Sequence, residues 1–171
     1  DRPVSDGIAH ERRLVSILRN RADVVIDTTR FGPGELKRIL EGHFGLGHET
    51  TLSVFVTSFS FRQGLPREAD LVFDVRFLAN PHYDPALKEL TGRDEAVADY
   101  IAKDTGFGNF FDNLTCLISP LLPRYAAEGK SYLTIAIGCT GGRHRSVFVA
   151  EKLARWLETE DRSIHLLHRD L

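Results

Sequence analysis

Apolar residues occur along the chain in two arrangements, which predict its strands and helices. Short runs rich in β-branched residues predict buried strands, and they span residues 23–27, 52–59, 71–75, 132–137 and 164–168. Apolar positions three and four residues apart predict helices over residues 7–19, 34–40, 94–102 and 107–125 and after residue 146. Pro120 and Pro123 predict that the helix over 107–125 bends or stops early. Strands that alternate with helices favour an α/β fold, with a partly parallel sheet and flanking helices.

Glycines concentrate in residues 42–50, which carry the strongest linker signal in the chain. The part of the chain before this segment contains one predicted strand, and one strand alone cannot form a sheet. We therefore predict that residues 1–47 are the C-terminal remnant of a larger α/β domain, together with its linker. Residues 48–171 are predicted to form a second domain that holds the remaining strands.

The composition is that of an ordinary soluble globular protein, with 42% hydrophobic and 27% charged residues. No apolar run approaches the roughly 20 residues of a membrane helix, and no signal-peptide pattern opens the chain. Cys116 and Cys139 lie on different predicted elements, which does not suggest a disulfide framework. We therefore expect a cytoplasmic protein that does not contact a membrane.

Charge is distributed unevenly along the chain. The formal net charge of -2 argues against a surface that binds nucleic acid throughout. Residues 44–118 hold 6 Lys and Arg against 11 Asp and Glu, whereas residues 119–171 hold 8 against 6. Any surface for a polyanion is therefore expected toward the C-terminal side, although such a mild bias is also typical of a solvated face.

A glycine-rich loop lies between the predicted strand 132–137 and the helix that follows it. Its glycines allow backbone N–H groups to approach an anion closely, at the positive end of the helix dipole. Hydroxyl and cationic side chains in the same loop suit a phosphate group. The candidate phosphate ligands are Thr140, Gly141, Gly142, Arg143, His144, Arg145 and Ser146. The alternative is a tight turn whose glycines only permit packing.

The same loop permits a second chemical interpretation, cysteine-dependent phosphatase activity. Cys139 and Arg145 have the C-x5-R spacing in which a loop lowers the pKa of a thiol and an arginine binds the phosphoryl group. Asp84 could then serve as the general acid. Gly138 stands where that signature usually has a histidine, and a cysteine at the end of a buried strand is commonly inert.

A second candidate segment, residues 76–85, follows the predicted strand 71–75. Polar side chains held in a loop that contains two prolines suit the recognition of sugar hydroxyls. The candidates in this segment are Arg76, Asn80 and His82. Weaker candidates are Asp74, Asp84 and, at the end of the first strand of the second predicted domain, Ser58. The alternative is an ordinary surface turn.

These two loops together resemble one family, the RNase adapter protein RapZ, also known as YvcJ-type nucleotide-binding proteins. The resemblance covers about residues 50–171. The matching stretches are residues 58–59, 69–78, 80–85, 90–92, 130–142, 144–147 and 168–169. Residues 25–28 also resemble the end of that family's N-terminal P-loop kinase-like domain.

The resemblance implies a domain similar to the sugar-phosphate-binding part of phosphofructokinases. It implies a non-catalytic sensor of glucosamine-6-phosphate or a related sugar phosphate, which binds small regulatory RNA and presents it to an endoribonuclease, so that amino-sugar synthesis is regulated. It also implies a homo-oligomer whose full-length form binds ATP and GTP, with weak ATPase and GTPase activity in its N-terminal P-loop region. By position, the metabolite site would include His82 and loop residues Thr140, Gly141, Gly142, His144, Arg145 and Ser146.

Two departures from the family pattern limit these implications. No G-x-x-x-x-G-K-[ST] motif occurs in this sequence, so we expect no nucleotide cofactor within these residues. The strongly basic tail of enterobacterial members does not follow Arg169-Asp170-Leu171, and few cations are clustered elsewhere. RNA binding is thus the least supported implication. A third reading is a regulatory platform whose anion site serves structure alone.

Overall fold

The computed structural model describes residues 4–19, 21–29, 31, 33–44, 52–158 and 163–171. The chain divides into two compact units, residues 1–31 and residues 32–171. Among the described residues, no helix is long and apolar enough to cross a membrane.

Among its described residues the first unit contains one helix, α1 (Val4–Arg19), which confirms the helix predicted over residues 7–19. Asp6 in its first turn and Arg19 in its last turn complement the helix dipole. The strand predicted over residues 23–27 is wrong, because this segment belongs to none of the strands among the described residues. A strand needs a neighbour for its backbone hydrogen bonds, and the strand pairings of the described sheet do not include this segment. Its end is instead a turn, in which Asp27 Oδ1 accepts hydrogen bonds from the amide and hydroxyl of Thr29.

The second unit contains the remaining helices and every strand among the described residues. The helices are α2 (Pro33–Phe44), α3 (Glu95–Ala102), α4 (Phe107–Ile118), α5 (Leu121–Ala127) and α6 (Arg145–Glu158). The strands are β1 (Ser53–Ser60), β2 (Leu71–Asp74), β3 (Tyr132–Cys139) and β4 (Ile164–His168). The predicted linker over 42–50 begins within α2, and residues 45–50 lie outside the described residues.

The predicted break in helix 107–125 is confirmed. The helix α4 ends at Ile118, and α5 begins at Leu121 with Pro120 as its N-cap and Pro123 in its first turn. Proline is tolerated there because the first N–H groups of a helix have no acceptor within the helix.

The four strands form one sheet in the order β2-β3-β1-β4, and each neighbouring pair is parallel. Ser53 pairs with Tyr132 at one end of the central pair, and Ser60 pairs with Cys139 at the other. The α/β prediction is confirmed, and the sheet that was expected to be partly parallel is parallel throughout the described strands. All four strands therefore end at the same edge.

The main hydrophobic core lies between one face of the sheet and the helices, and α6 packs against β1, β3 and β4. Side chains alternate along each strand, so Val54 and Val56 of β1 share this core with the alternate residues of β3 that end at Cys139. On α6, residues three and four apart, such as Val149 and Leu153, are fully buried against them. On the sheet face that bears Phe55, the ring of His43 from α2 stacks 4.6 Å from the Phe55 ring.

Candidate anion site at the carboxyl edge of the sheet

The parallel sheet brings the segments that follow its strands to one edge. The strands end at Ser60, Asp74, Cys139 and His168. Ligands of parallel α/β sheets bind beyond this edge, where the chain leaves the strands. The loop over residues 140–144, which we call the cradle loop, lies here between β3 and the first turn of α6.

Gly142 gives the cradle loop its shape. Its φ of +71° lies in the left-handed region that favours glycine. A Cβ atom at this position would lie 3.0 Å from Asp170 Cβ and 3.1 Å from the Ser60 amide nitrogen. At the neighbouring Gly141, a Cβ would meet nothing within 4 Å. One glycine is therefore packed against the adjacent strand ends, while the other faces open space.

Hydrogen bonds from the end of β1 hold the cradle loop in place. Ser60 Oγ donates to the carbonyl oxygen of Thr140 at 2.8 Å. The Ser60 amide donates to Asp170 Oδ2 at 2.7 Å. Ser60 therefore joins the cradle loop to the end of β1 and, through Asp170, to the residues that follow β4.

The N-terminus of α6 and the cradle loop together present unused N–H groups. The amide of Phe148 donates to the His144 carbonyl at 2.9 Å, so the N–H groups before it in the first turn have no acceptor within the helix. Within the described part of the chain, no hydrogen bond uses the amide of Gly141 or Gly142. Unpaired amides at the positive end of a helix dipole form an anion-binding surface.

Arg145 lies beside this surface but uses its donors within the protein. Its side chain is buried, and Nη1 donates to the carbonyl oxygens of Arg76 at 2.5 Å and Leu78 at 3.1 Å. Its Nη2 lies 3.5 Å from Thr140 Oγ1. Its Nε has no hydrogen-bond partner among the described residues. Arg145 therefore joins the loop after β2 to the loop after β3. Its buried guanidinium, whose Nε lacks a partner among the described residues, lies beside Thr140 of the cradle loop.

Arg76 is the more accessible cation at this edge. Its Nε lies 3.0 and 2.9 Å from the two carboxylate oxygens of Asp74, and its Nη2 lies 2.6 Å from Oδ2. Its guanidinium carbon lies 4.2 Å from the centre of the Phe61 ring. The hydrogen bonds from Arg76 hold the pKa of Asp74 below its usual value, and the charge of Arg145 adds to this effect. With 49% of its side chain exposed, Arg76 is oriented but still reachable by an anion.

Arg143 and His144 point toward the segment before α3. Arg143 donates from Nε to the Leu90 carbonyl at 3.0 Å and from Nη2 to the Glu89 carbonyl. His144 is buried, and burial lowers its pKa more than the nearby backbone carbonyls of residues 87, 88 and 90 raise it. The amide of Gly92 donates to the Arg143 carbonyl at 2.9 Å. These two predicted ligands thus hold the cradle loop against residues 87–92.

The predicted site residues of segment 76–85 beyond Arg76 lie in or beside a short 3-10 helix, Pro81–Tyr83. Asn80 caps this helix, since its side chain accepts a hydrogen bond from the His82 amide at 3.3 Å. His82 is exposed, and Asp84 accepts a hydrogen bond from the Ala86 amide at 2.9 Å. Among the described residues, no hydrogen bond joins these three side chains to the cradle loop. Of the three residues only His82 is exposed, while Asn80 and Asp84 are half-buried.

Ser58, Cys139 and Ser146 are buried on the core side of the strand ends. Ser58 is fully buried, with its Oγ 2.8 Å from His168 Nδ1. Cys139 is 3% exposed, and its sulfur lies 3.1 Å from the Oγ of the fully buried Ser146. A nucleophilic thiol must reach the phosphorus of its substrate. The alternation that places Cys139 in the core therefore disfavours the phosphatase interpretation.

Two site residues at the C-terminal end of β4 were missed by the sequence reasoning. Arg169 Nη2 donates to the Gly64 carbonyl at 2.7 Å, and Asp170 Oδ2 accepts from Arg169 as well as from Ser60. Their positions follow from the register that pairs Ser58 with His168, which places the next residues of β4 beside the end of β1. A sequence pattern does not reveal that register, because β1 and β4 are separated by the whole domain.

The sheet and its strand–helix loop define a class of α/β domain with a candidate anion site at the carboxyl edge of a parallel sheet. A family model described as the RapZ C-terminal domain matches residues 52–171. The chain belongs to this family, which confirms the resemblance drawn from the sequence.

Relatives match all or nearly all of the chain. Nucleotide-binding proteins of Paramagnetospirillum magneticum, Rhodospirillum centenum and Symbiobacterium thermophilum are 67%, 60% and 52% identical to it. The alignments cover 100%, 100% and 98% of this chain, and 56%, 52% and 56% of these relatives. The chain thus spans about half the length of the curated relatives it matches.

Proposed function

We propose that the second unit is a non-catalytic metabolite sensor that binds a sugar phosphate at the carboxyl edge of its sheet. One observation carries the proposal: the cradle loop presents unpaired amides at the N-terminus of α6, beside the cations Arg76 and Arg145. A phosphate dianion suits this arrangement, because it can accept several N–H groups and a guanidinium at once. Cys139, the nucleophile of the phosphatase alternative, is buried, which supports binding rather than turnover as the activity of this site.

The groups around the cradle loop favour a polar, hydroxylated ligand over free phosphate. Asp74 is 43% exposed and offers carboxylate oxygens that accept hydrogen bonds from hydroxyl or ammonium groups. Asn80 and His82, in the loop after β2, add further polar groups. Glucosamine-6-phosphate combines a phosphate, hydroxyls and an ammonium group, and it is the ligand that we propose. Membership of the RapZ family supports the same choice.

For the whole protein we propose an adapter role. Whether sugar phosphate is bound to this domain would control the binding of small regulatory RNA and the recruitment of an endoribonuclease. In this way the protein would regulate amino-sugar synthesis in the cytoplasm. The relatives are named nucleotide-binding proteins and are about twice as long as this chain, which supports ATP or GTP binding outside these residues. We also propose that the whole protein is a homo-oligomer.

Isothermal titration calorimetry with a panel of sugars and sugar phosphates tests the proposal. We expect glucosamine-6-phosphate to bind, and glucosamine without phosphate to bind far more weakly. Gly141→Ala adds a methyl group in open space, so it should fold normally but obstruct the anion. Gly108→Ala, in equally open space on α4, is the matched control. A ligand at 100 times its dissociation constant should add about 2.7 kcal/mol to the free energy of unfolding.

The proposal fails if no sugar phosphate binds the wild type, or if Gly141→Ala binds as well as Gly108→Ala does. Binding of inorganic phosphate with the same affinity as the sugar phosphate would reduce the site to a general anion site. The RNA part is tested separately, by gel shift of a small regulatory RNA at 50 and 200 mM salt with the full-length protein. A phosphate-dominated RNA contact should weaken steeply over this roughly fourfold salt range.

A further inference from the structure

Glu151, in the middle of α6, receives hydrogen bonds from two elements that border the anion site. Its Oε1 lies 3.3 Å from His168 Nε2 and 3.0 Å from Arg93 Nε. His168 is the last residue of β4, and Arg93 precedes α3. The His168 side chain is 3% exposed and that of Glu151 is 21% exposed, so the carboxylate is partly shielded from solvent.

The geometry defines the tautomer of His168. A carboxylate only accepts hydrogen bonds, so Nε2 of the neutral ring carries the proton that faces Glu151. His168 Nδ1 is then an acceptor, and the Ser58 hydroxyl donates a hydrogen bond to it at 2.8 Å. Burial lowers the pKa of His168 and is the largest influence on it, which favours this neutral form. The result is a continuous chain of hydrogen bonds from Ser58 through His168 to Glu151.

This chain is not a hydrolytic triad, although it contains serine, histidine and a carboxylate. Ser58 is fully buried on β1, so no substrate can reach its hydroxyl. The chain must act through the elements that it connects.

One of those elements is the C-terminal wall of the anion site. Asp170 follows His168 by two residues, and its carboxylate accepts the amide of Ser60 at 2.7 Å. The space above Gly142 is bounded by the same residue, because a Cβ on Gly142 would lie 3.0 Å from Asp170 Cβ. The position of His168 therefore determines where Asp170 meets the cradle loop.

The other element is the segment that supports Arg143. Arg93 follows Gly92, whose amide donates to the Arg143 carbonyl at 2.9 Å. The Leu90 carbonyl accepts from Arg143 Nε at 3.0 Å. By holding Arg93, Glu151 attaches this segment to the same helix whose N-terminus forms the anion site.

We propose that Glu151 is a positioning residue for the anion site: it holds β4 through His168 and the 90–93 segment through Arg93, and so fixes the two walls of the cradle loop. Its effect on ligand affinity rests on the proposed function. Its effect on the geometry of the free protein does not.

The test compares Glu151→Gln with Glu158→Gln, a substitution of the same kind at the exposed end of α6. In Glu151→Gln the negative charge is lost, and a side-chain amide replaces one carboxylate oxygen. We expect this variant to weaken glucosamine-6-phosphate binding about tenfold, since members of one hydrogen-bond network are energetically coupled. Nitrogen-15 NMR of the protein without ligand should show that His168 is protonated at Nε2 in the wild type. In Glu151→Gln, the signals of the His168 ring and of the Gly142 and Asp170 amides should shift. Glu158→Gln should change neither the affinity nor these signals.

The outcomes separate the two proposals. If the wild type binds no sugar phosphate, the proposed function fails, and the NMR signals of the free protein still decide the positioning role. If Glu151→Gln leaves the His168 ring and the Gly142 and Asp170 amides unchanged, the positioning role is overturned. The positioning role is also overturned if these signals move in Glu151→Gln but the variant binds glucosamine-6-phosphate as tightly as the wild type does. Should Glu151→Gln not fold, Arg93→Gln removes the more exposed contact alone, and it must then shift the Arg143 amide and weaken binding.

Discussion

The guanidinium of Arg145 donates to the backbone carbonyl of Arg76 across 2.5 Å, which links the loops after two neighbouring strands. The sequence predicted Arg145 as a ligand of a phosphate and Arg76 as one of the polar residues that recognise sugar hydroxyls. In the folded protein Arg145 is buried and holds the backbone of Arg76, while the side chain of Arg76 is half exposed. The two arginines therefore have different roles: Arg145 holds the loop after β2 from within the protein, whereas Arg76, paired with Asp74, presents a half-exposed guanidinium at the site.

Replacing Arg145 with lysine should lower the free energy of unfolding by about 2 kcal/mol, because a single ammonium cannot replace a planar fork that serves two carbonyls and Thr140. The measurement is urea denaturation, with Arg124→Lys on the exposed side of α5 as the control. Equal stabilities of the two variants would show that the Arg145 contacts contribute little.

The two glycines of the cradle loop should respond differently to alanine. Gly142→Ala places a Cβ in the left-handed region and against Asp170 and Ser60, so we expect a loss of about 1–2 kcal/mol or more. Gly141→Ala meets open space and should change stability by less than about 0.5 kcal/mol. Thermal and urea denaturation measure both. The prediction is wrong if Gly142→Ala is as stable as Gly141→Ala.

Stability should fall as the pH decreases below 6.5. Burial has the largest effect on the pKa values of His43, His144 and His168, and it lowers them below 6.5. The unfolded chain therefore takes up protons near pH 6.5, whereas the folded protein takes them up only at lower pH. Their contribution is fully present above pH 6.5 and is lost as the pH falls toward the folded values, by at most about 1.4 kcal/mol per pH unit for each histidine.

Urea denaturation at pH 7.5 and 5.5 measures this loss. His168→Gln should reduce the difference between the two pH values, because one buried histidine is removed. His82→Gln, at an exposed position, should leave the difference unchanged. The same pH difference in all three proteins would argue against a contribution from His168.

The two cysteines should differ in reactivity. Cys116 is exposed on α4, whereas Cys139 is buried in the core. A thiol reagent should label about one cysteine rapidly in the folded protein and both after unfolding. Cys116→Ser should abolish the rapid phase. A rapid phase that survives in Cys116→Ser would show that Cys139 is reachable, and would bring the phosphatase interpretation back.

Much of the fold was predictable because its elements bury continuous apolar faces. The runs over 52–59, 132–137 and 164–168 form strands. The helix predicted over 107–125 is interrupted at Pro120, as the missing N–H group of proline predicts. The run over residues 23–27 shows the limit of this reasoning. Its composition suits a strand, but composition does not provide a partner strand, and the segment is part of none of the described strands.

The candidate site was predictable only in part. The glycine-rich turn was recognisable because its residue types serve an anion directly. Which side chains face that anion depends on the packing of distant segments. Arg143 and His144 turn toward residues 87–92, and Ser58 faces His168, because the neighbouring backbone offers carbonyls or a ring nitrogen there.

The sequence by itself determined the alternation of strands and helices, the glycine turn before α6 and, through its motifs, the family. The tertiary structure alone decided the strand order, the burial of Arg145 and Cys139, and the arrival of Asp170 beside Gly142. The physical reason is the range of the interactions. Periodicity and turn chemistry act over a few neighbouring residues, whereas the sheet register joins residues as far apart as Ser60 and Asp170.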